Sequence, residues 1–229
     1  MPEVLGKITA ARALWTPAEG GTARGTVVLL PGRGEHPGLY ARLGTRLAFD
    51  GYRVVAVASG DDVAGVLRGG PVPVVLLGSD TGAITALTLA AQLPVHAVVA
   101  AGLPLTAEHS TDRSWEGELD ARTACRQHRT LLETDDRLRR GALLSEPADI
   151  PAVLPRTPVL VLHGGADPVA DAKAARAFAE MLPAGRFVLV EGGRHDVLND
   201  VAHRSVAAEI VQFLEWLRAG TRGPVLVRE

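Results

Sequence analysis

The chain has one cysteine in 229 residues. No intramolecular disulfide can form, and such usage suits a reducing compartment, so a cytoplasmic location is expected. Cys125 lies among Arg122, Arg126 and Arg129, which would lower a thiol pKa, but nothing places it at a strand end and no catalytic role is assigned to it. Long apolar runs are also missing. Nothing reaches the ~20 residues of a membrane-spanning helix. The first thirty residues, broken by Glu3, Lys7, Arg12 and Glu19, hold no signal-peptide core. Charge of one sign is lacking too: a net −2 leaves no basic footprint for nucleic acid. Neither membrane nor nucleic acid is therefore an expected partner, whereas a small-molecule substrate is. "GRGEHPG" (32–38) lacks both the Lys-Ser/Thr of a phosphate loop and the Gly-x-Gly-x-x-Gly spacing of a dinucleotide site. His163 has no second histidine or cysteine at ligand spacing. No cofactor and no metal are expected.

What is there is ordinary globular composition, 47% apolar and 22% charged, in a length that suits one α/β domain over 1–229. Short Val/Leu-rich runs (26–30, 53–57, 72–77, 95–101, 158–162, 186–190) alternate with helical patterns (38–50, 81–92, 171–182, 201–219). Runs that are apolar throughout, rather than at every second residue, mark strands covered on both faces. The expected architecture is an α/β fold with a mostly parallel, doubly wound sheet. Residues before 20 can add antiparallel edge strands, and 220–229 either frays or adds another. Residues 104–156 far exceed a typical connection of about 4–6 residues. They read as a small helical lid inserted over the sheet edge, with Leu103, Leu105 and Trp115 roofing a pocket.

In open α/β sheets reactive groups collect at the carboxyl ends of strands, and four such ends are suggestive. "LLPGRGEHPGLY" (29–40) is a Gly-rich turn whose N–H groups can line an oxyanion hole, or simply turn the chain. "GSDTG" (78–82) has the small flanks of a nucleophile elbow, with Asp80 at its centre. Taken alone, Asp80 serves equally as a helix N-cap. Asp167 follows a strand in "VLVLHGGADPVA" (159–170), and His195 follows the last one in "VLVEGGRHDVLND" (188–200). Each of the last two is weak alone. The order corner, acid, histidine, each after its own strand, is that of the α/β-hydrolase arrangement.

On "GRGEHPGLY", "LLGSDTGAITALTLAA", "VLHGGADPV" and "GGRHDVLND" the chain resembles the α/β-hydrolase superfamily. Within it the similarity is to the monoglyceride-lipase/lysophospholipase-like branch, serine aminopeptidase S33-like. The resemblance spans about residues 24–218. It implies Asp80 at the nucleophile position, Asp167 as triad acid, His195 as base, and the backbone N–H groups of Arg33 and Thr81 as oxyanion donors. Three departures stand out. Asp80 replaces the usual serine, with Ser79 one place too early; Pro31-Gly32 replaces His-Gly; and residues 58–71 are much shorter than usual, which should rebuild or open one pocket wall.

Carboxylate attack on an ester would give a mixed anhydride that collapses backwards. Attack on an sp3 carbon gives an alkyl ester, which a water activated by His195 can cleave. Epoxide hydrolases and haloalkane dehalogenases of the same superfamily resemble this solution. Partner residues are less clear: Tyr40 and Tyr52 lie outside the lid, where epoxide opening would want an acid. Ser79, Trp115, His109 and His128 are candidate pocket residues, and Arg33 offers charge to a halide or anionic substrate unless it is merely solvated. Three readings stay open: an Asp-nucleophile hydrolase; an esterase or thioesterase using Ser79 or a held water; and a cyclase, lyase or inactive binding protein.

Overall fold

A computed structural model describes residues 5–9, 11–18, 21–105, 112–145, 147 and 149–220. Eight strands form one sheet: β1 (Leu5–Ile8), β2 (Arg12–Thr16), β3 (Thr26–Leu30), β4 (Arg53–Val57), β5 (Val74–Ser79), β6 (Ala97–Ala101), β7 (Val159–Gly164) and β8 (Gly185–Val190). Their spatial order is β1-β2-β4-β3-β5-β6-β7-β8. The first two run antiparallel and the rest pair in parallel. The helices are α1 (Ala41–Phe49), α2 (Val63–Leu67), α3 (Thr81–Ala90), α4 (Trp115–Arg122), α5 (Arg126–Thr134), α6 (Ala172–Met181) and α7 (His203–Ala219). Among the described residues no helix is long and apolar enough to cross a membrane.

The apolar runs become strands because both faces are covered. β3, β5, β6 and β7 are buried at every position. Alternate residues feed two cores: Val27, Leu29, Val75, Leu77 and Val99 meet α1 and α7 through Leu43, Leu47, Ile210 and Phe213. Val28, Leu30, Leu76, Val98 and Val161 meet α2, α3 and α6 through Val63, Ile84, Leu87 and Phe178. Each fully buried Leu, Val or Phe contributes about 1.5–3 kcal/mol, so the sheet is a rigid platform for whatever its strand ends carry. The short 58–71 connection closes with a 3-10 turn and the five-residue α2, pinned by Val63 and Val66.

The insertion departs from expectation in place and lining. It leaves β6 and returns on β7, both interior strands, so α4 and α5 stand over the middle of the strand ends and not over the sheet edge. Among the described residues, Leu103, Leu105 and Trp115 do not make the expected roof. Leu103 is buried in the second core with Leu105 packed against it, and Trp115 is half-buried with the Arg140 guanidinium 4.5 Å over its ring. The polar lid side chains are spent on ion pairs with the turns below, described next. His109 and the tail 221–229 lie outside the described residues.

Candidate active site

The corner after β5 is built by its glycines. A Cβ on Gly78 would run into the Gly82 carbonyl, and one on Gly82 into the Leu30 carbonyl; only hydrogen fits at either. Between them Asp80 adopts φ 51, ψ −124, and among the described residues it alone has positive φ without being glycine. Such a conformation costs on the order of 1–3 kcal/mol and persists where the surroundings enforce it. Here the Asp80 amide donates to the Ala101 carbonyl and the Ala83 amide to the Asp80 carbonyl, both at 2.9 Å. Asp80 stands at the N-cap of α3, yet its side chain makes no capping bond. The carboxylate points elsewhere.

It points at His195 and Arg33. His195 Nε2 lies 3.2 Å from Asp80 Oδ1, and its Nδ1 lies 2.8 Å from Asp167 Oδ2. Asp167 is steadied by the Val169 and Ala170 amides on Oδ1 and by His163 Nε2, 3.2 Å from Oδ2. The Arg33 amide donates to Asp80 Oδ2 at 2.8 Å. The Arg33 guanidinium grips the same carboxylate, Nε to Oδ2 at 2.8 Å and Nη2 to Oδ1 at 2.7 Å, while Nη1 donates to the Ser145 carbonyl of the insertion. Arg33 is thus not solvated. Thr81 opens α3 and, with Arg33, Arg139, Gly60 and Thr85, lines a pocket of about 250 Å³. Asp80 is buried behind that wall.

The other candidates sit apart. Ser79, the last residue of β5, is buried beside the Tyr40 hydroxyl. Trp115 does not line the pocket. His128 is buried and paired with Asp196 at 3.1 Å. Cys125 heads α5 beside Arg42, Nη1 to Sγ 3.5 Å. Among the described residues no cluster of His, Cys, Asp or Glu could hold a metal ion.

Charge alternates along Arg33, Asp80, His195 and Asp167. Burial works against the charged form of every carboxylate in the row. Hydrogen bonds and charge from His195 and Arg33 overcome it and hold Asp80 well below the usual carboxylate range. For Asp167 the charge of His195 and then the His163 hydrogen bond do the same. Burial disfavours the His195 imidazolium, but the charge of Asp167, its hydrogen bond and then Asp80 push the ring up to about 10. The signs give a stability profile. The His195 contribution is complete below its ordinary 6.5 and is lost as pH rises through about 10. The Asp80 and Asp167 contributions are complete above their ordinary 3.8 and fall away in acid. Urea midpoints measured against pH should therefore decline from neutrality into alkali, and His195→Ala should flatten that decline.

A second buried network was missed from the sequence. Arg122 of α4 donates to Glu35 Oε1 at 2.9 Å, to Glu118 Oε1 at 2.8 Å and to the Arg33 carbonyl at 2.9 Å. Glu35 in turn accepts from the Gly32 amide at 3.1 Å and from the Tyr40 hydroxyl. The only sequence signal was the i,i+4 pair Glu118 and Arg122, which resembles any exposed helical ion pair.

The six consecutive parallel strands β3–β8, the corner after β5, the acid after β7 and the histidine after β8 decide the fold. The chain has the α/β-hydrolase fold. The family model described as serine aminopeptidase, S33, matches residues 121–202. Solved structures of this fold align along nearly the whole chain. A soluble variant of monoglyceride lipase from Saccharomyces cerevisiae, in complex with a substrate analog, is 16% identical. It covers 94% of this chain and 96% of its own, with TM-score 0.70. Monoacylglycerol lipase of Paleococcus ferrophilus is 20% identical, covering 96% and 100%, TM-score 0.68. An esterase from Rhodococcus sp. is 21% identical, covering 93% and 99%, TM-score 0.67. Among curated protein sequences none matches this chain.

Proposed function

We propose that this α/β-hydrolase-fold protein is a hydrolase in which Asp80 attacks an sp3 carbon of a small electrophile, an epoxide or alkyl halide. The observation that supports this most is the carboxylate on the strained corner, one oxygen against the Arg33 amide and the other against His195 Nε2.

Oδ1 forms a bond to carbon, and the halide or epoxide oxygen leaves with the electron pair. Oδ2 becomes the ester carbonyl oxygen, still facing the Arg33 amide and, in this reading, that of Thr81. An epoxide oxygen needs a proton as it leaves. Tyr40 and Tyr52 are occupied by Glu35 and Glu215, whereas His195, its pKa raised to about 10, stands 3.2 Å from the attacking Asp80 Oδ1 and is in this reading the proton donor. Giving up its proton leaves it neutral and ready to act as base. Alkylation also removes the Asp80 charge, one of two carboxylates holding the histidine proton, so the ring pKa falls when a base is needed. Neutral His195 takes a proton from the water attacking Asp80 Cγ, with Asp167 steadying the imidazolium. Collapse of the tetrahedral species releases the alcohol and restores the carboxylate.

The relatives favour a second reading, hydrolysis of carboxylic esters, since the structural neighbours include lipases and an esterase. Against it stand the absence of serine at the corner and the burial of Ser79 against Tyr40. Intact-protein mass after incubation with epoxide, halide and ester panels separates the two. With His195→Ala the alkyl-enzyme formed from the halide, whose leaving group needs no proton, should accumulate on Asp80, while epoxide opening should slow; Ser79→Ala should leave turnover unchanged. An acyl adduct on Ser79, or activity lost with Ser79→Ala but kept with Asp80→Asn, would move the nucleophile by one residue.

A further inference from the structure

We propose that Arg33 recognises a carboxylate on the substrate, and that this carboxylate draws the guanidinium off Asp80 and so uncovers the nucleophile. The proposal rests on Asp80 being the nucleophile.

Three observations carry it. First, Arg33 lines the pocket and Asp80 does not; Asp80 is 2% exposed, and among the described residues the Arg33 guanidinium lies between it and that pocket. Second, the covered carboxylate is saturated. Its two oxygens accept from the Arg33 amide, Nε and Nη2 and face His195 Nε2. Donors of this kind hold charge on oxygen and weaken its attack on carbon. Third, Arg33 is itself nearly buried, with its side chain 9% exposed. A buried cation cannot leave one carboxylate without finding another partner. A neutral electrophile would have to break the pair outright. A substrate carboxylate instead exchanges one anion for another at the same planar fork, which suits carboxylate geometry.

The pocket beyond the fork agrees. Arg139, exposed and held by its backbone to the Gly34 carbonyl at 2.9 Å, lines it with Thr81 and Thr85. Glu35, the acid on the same wall, is taken by Arg122 and Tyr40. At about 250 Å³ the space suits a molecule of a few carbons. The Ser145 carbonyl on Nη1 gives the displaced guanidinium a pivot.

The test uses bromoacetate and bromoacetamide, which differ in the carboxylate and need no proton on the leaving bromide. Labelling is followed by intact mass in the His195→Ala protein, and peptide mapping separates Asp80 from Cys125. Bromoacetate should label Asp80 on the order of 100-fold faster, after each rate is divided by that reagent's rate on free carboxylate. Adding Arg33→Met should abolish this preference and raise the bromoacetamide rate, because the cover is gone. Unreactive propionate should slow bromoacetate labelling of the Arg33 protein and leave that of the Arg33→Met protein unchanged. A normalised ratio near one in the Arg33 protein overturns the proposal even if Arg33→Met fails to fold. Asp80 labelling with equal preference in both proteins also overturns it, while leaving Asp80 as nucleophile. No Asp80 labelling by either reagent in any protein overturns the nucleophile reading itself.

Discussion

Asp80→Asn should lower turnover of any epoxide or halide by at least about 10⁴-fold, the scale on which single members of a nucleophile–base unit act. An amide oxygen cannot displace a leaving group and return as a carboxylate. The substitution is nearly isosteric, and it removes the negative partner of two buried cations. Arg33 keeps only the Ser145 carbonyl and one amide oxygen, so stability should fall by about 3–5 kcal/mol. His195 loses part of what holds its proton, and the ring pKa, raised to about 10 in the native site, should move back toward its ordinary value. NMR titration of the histidine reads that shift directly. An unshifted ring would mean that Asp167 alone sets it. Asp80→Ser tests the converse: gain of activity on simple acyl esters would show that the scaffold and histidine still support serine chemistry.

The second large effect is expected at Arg122. Arg122→Met keeps the stem that fills the space beside α4 but leaves Glu35 and Glu118 buried with no cation between them. Breaking such a pair from one side costs about 3–5 kcal/mol. Two consequences separate this from simple loss of packing. Burial already raises the Glu35 carboxyl pKa, with the Asp196 charge adding to it and Arg122 opposing. Without Arg122 the Glu35 carboxyl pKa should rise further, so the stability the native protein already gains from this group as pH falls should become larger in the variant. In addition, the Arg33 carbonyl loses its anchor and Glu35, which holds the Gly32 amide, loses its own, so the Arg33 amide should drift from Asp80 and turnover should fall with little change in KM. A uniform drop in urea midpoint at every pH, with activity intact, would make Arg122 a packing residue only.

Much of this was legible in the sequence. The strands from β3 to β8 are, because burial on both faces leaves no room for polar residues and turns each one into an unbroken Val/Leu run. Asp80, Asp167 and His195 are legible because a parallel sheet sends its strand ends to one side, so order along the chain becomes proximity in space. The insertion was harder. Its helices are visible, but whether it stands at the edge or over the centre depends on strand order, which apolar runs do not encode. Trp115 looked like a pocket residue because a large ring in a lid usually faces inward, yet here it packs under Arg140. Arg33 was legible for its amide and as a charge for an anionic substrate or a solvated side chain, but not as the partner of Asp80. Where a long side chain on a turn points is set by what it pairs with, and a sequence written in one line does not show that Asp80 is the nearest anion.

The clasp between Arg122 and the turn after β3 bears on how fast the site can work. A cover that swings as a body moves in microseconds to milliseconds, and such motions often limit turnover. Here α4 holds the Arg33 carbonyl and Glu35 on one side. On the other, the Ala121 and Arg122 carbonyls accept from the His195 and Asp196 amides. Lifting the helix would dismantle the donors it covers. The part left to move is the end of one arginine side chain, pivoting about a single carbonyl. Rearrangement on that scale is far quicker than domain closure, which leaves bond-breaking or product departure, and not the opening of a door, to set the pace of each cycle.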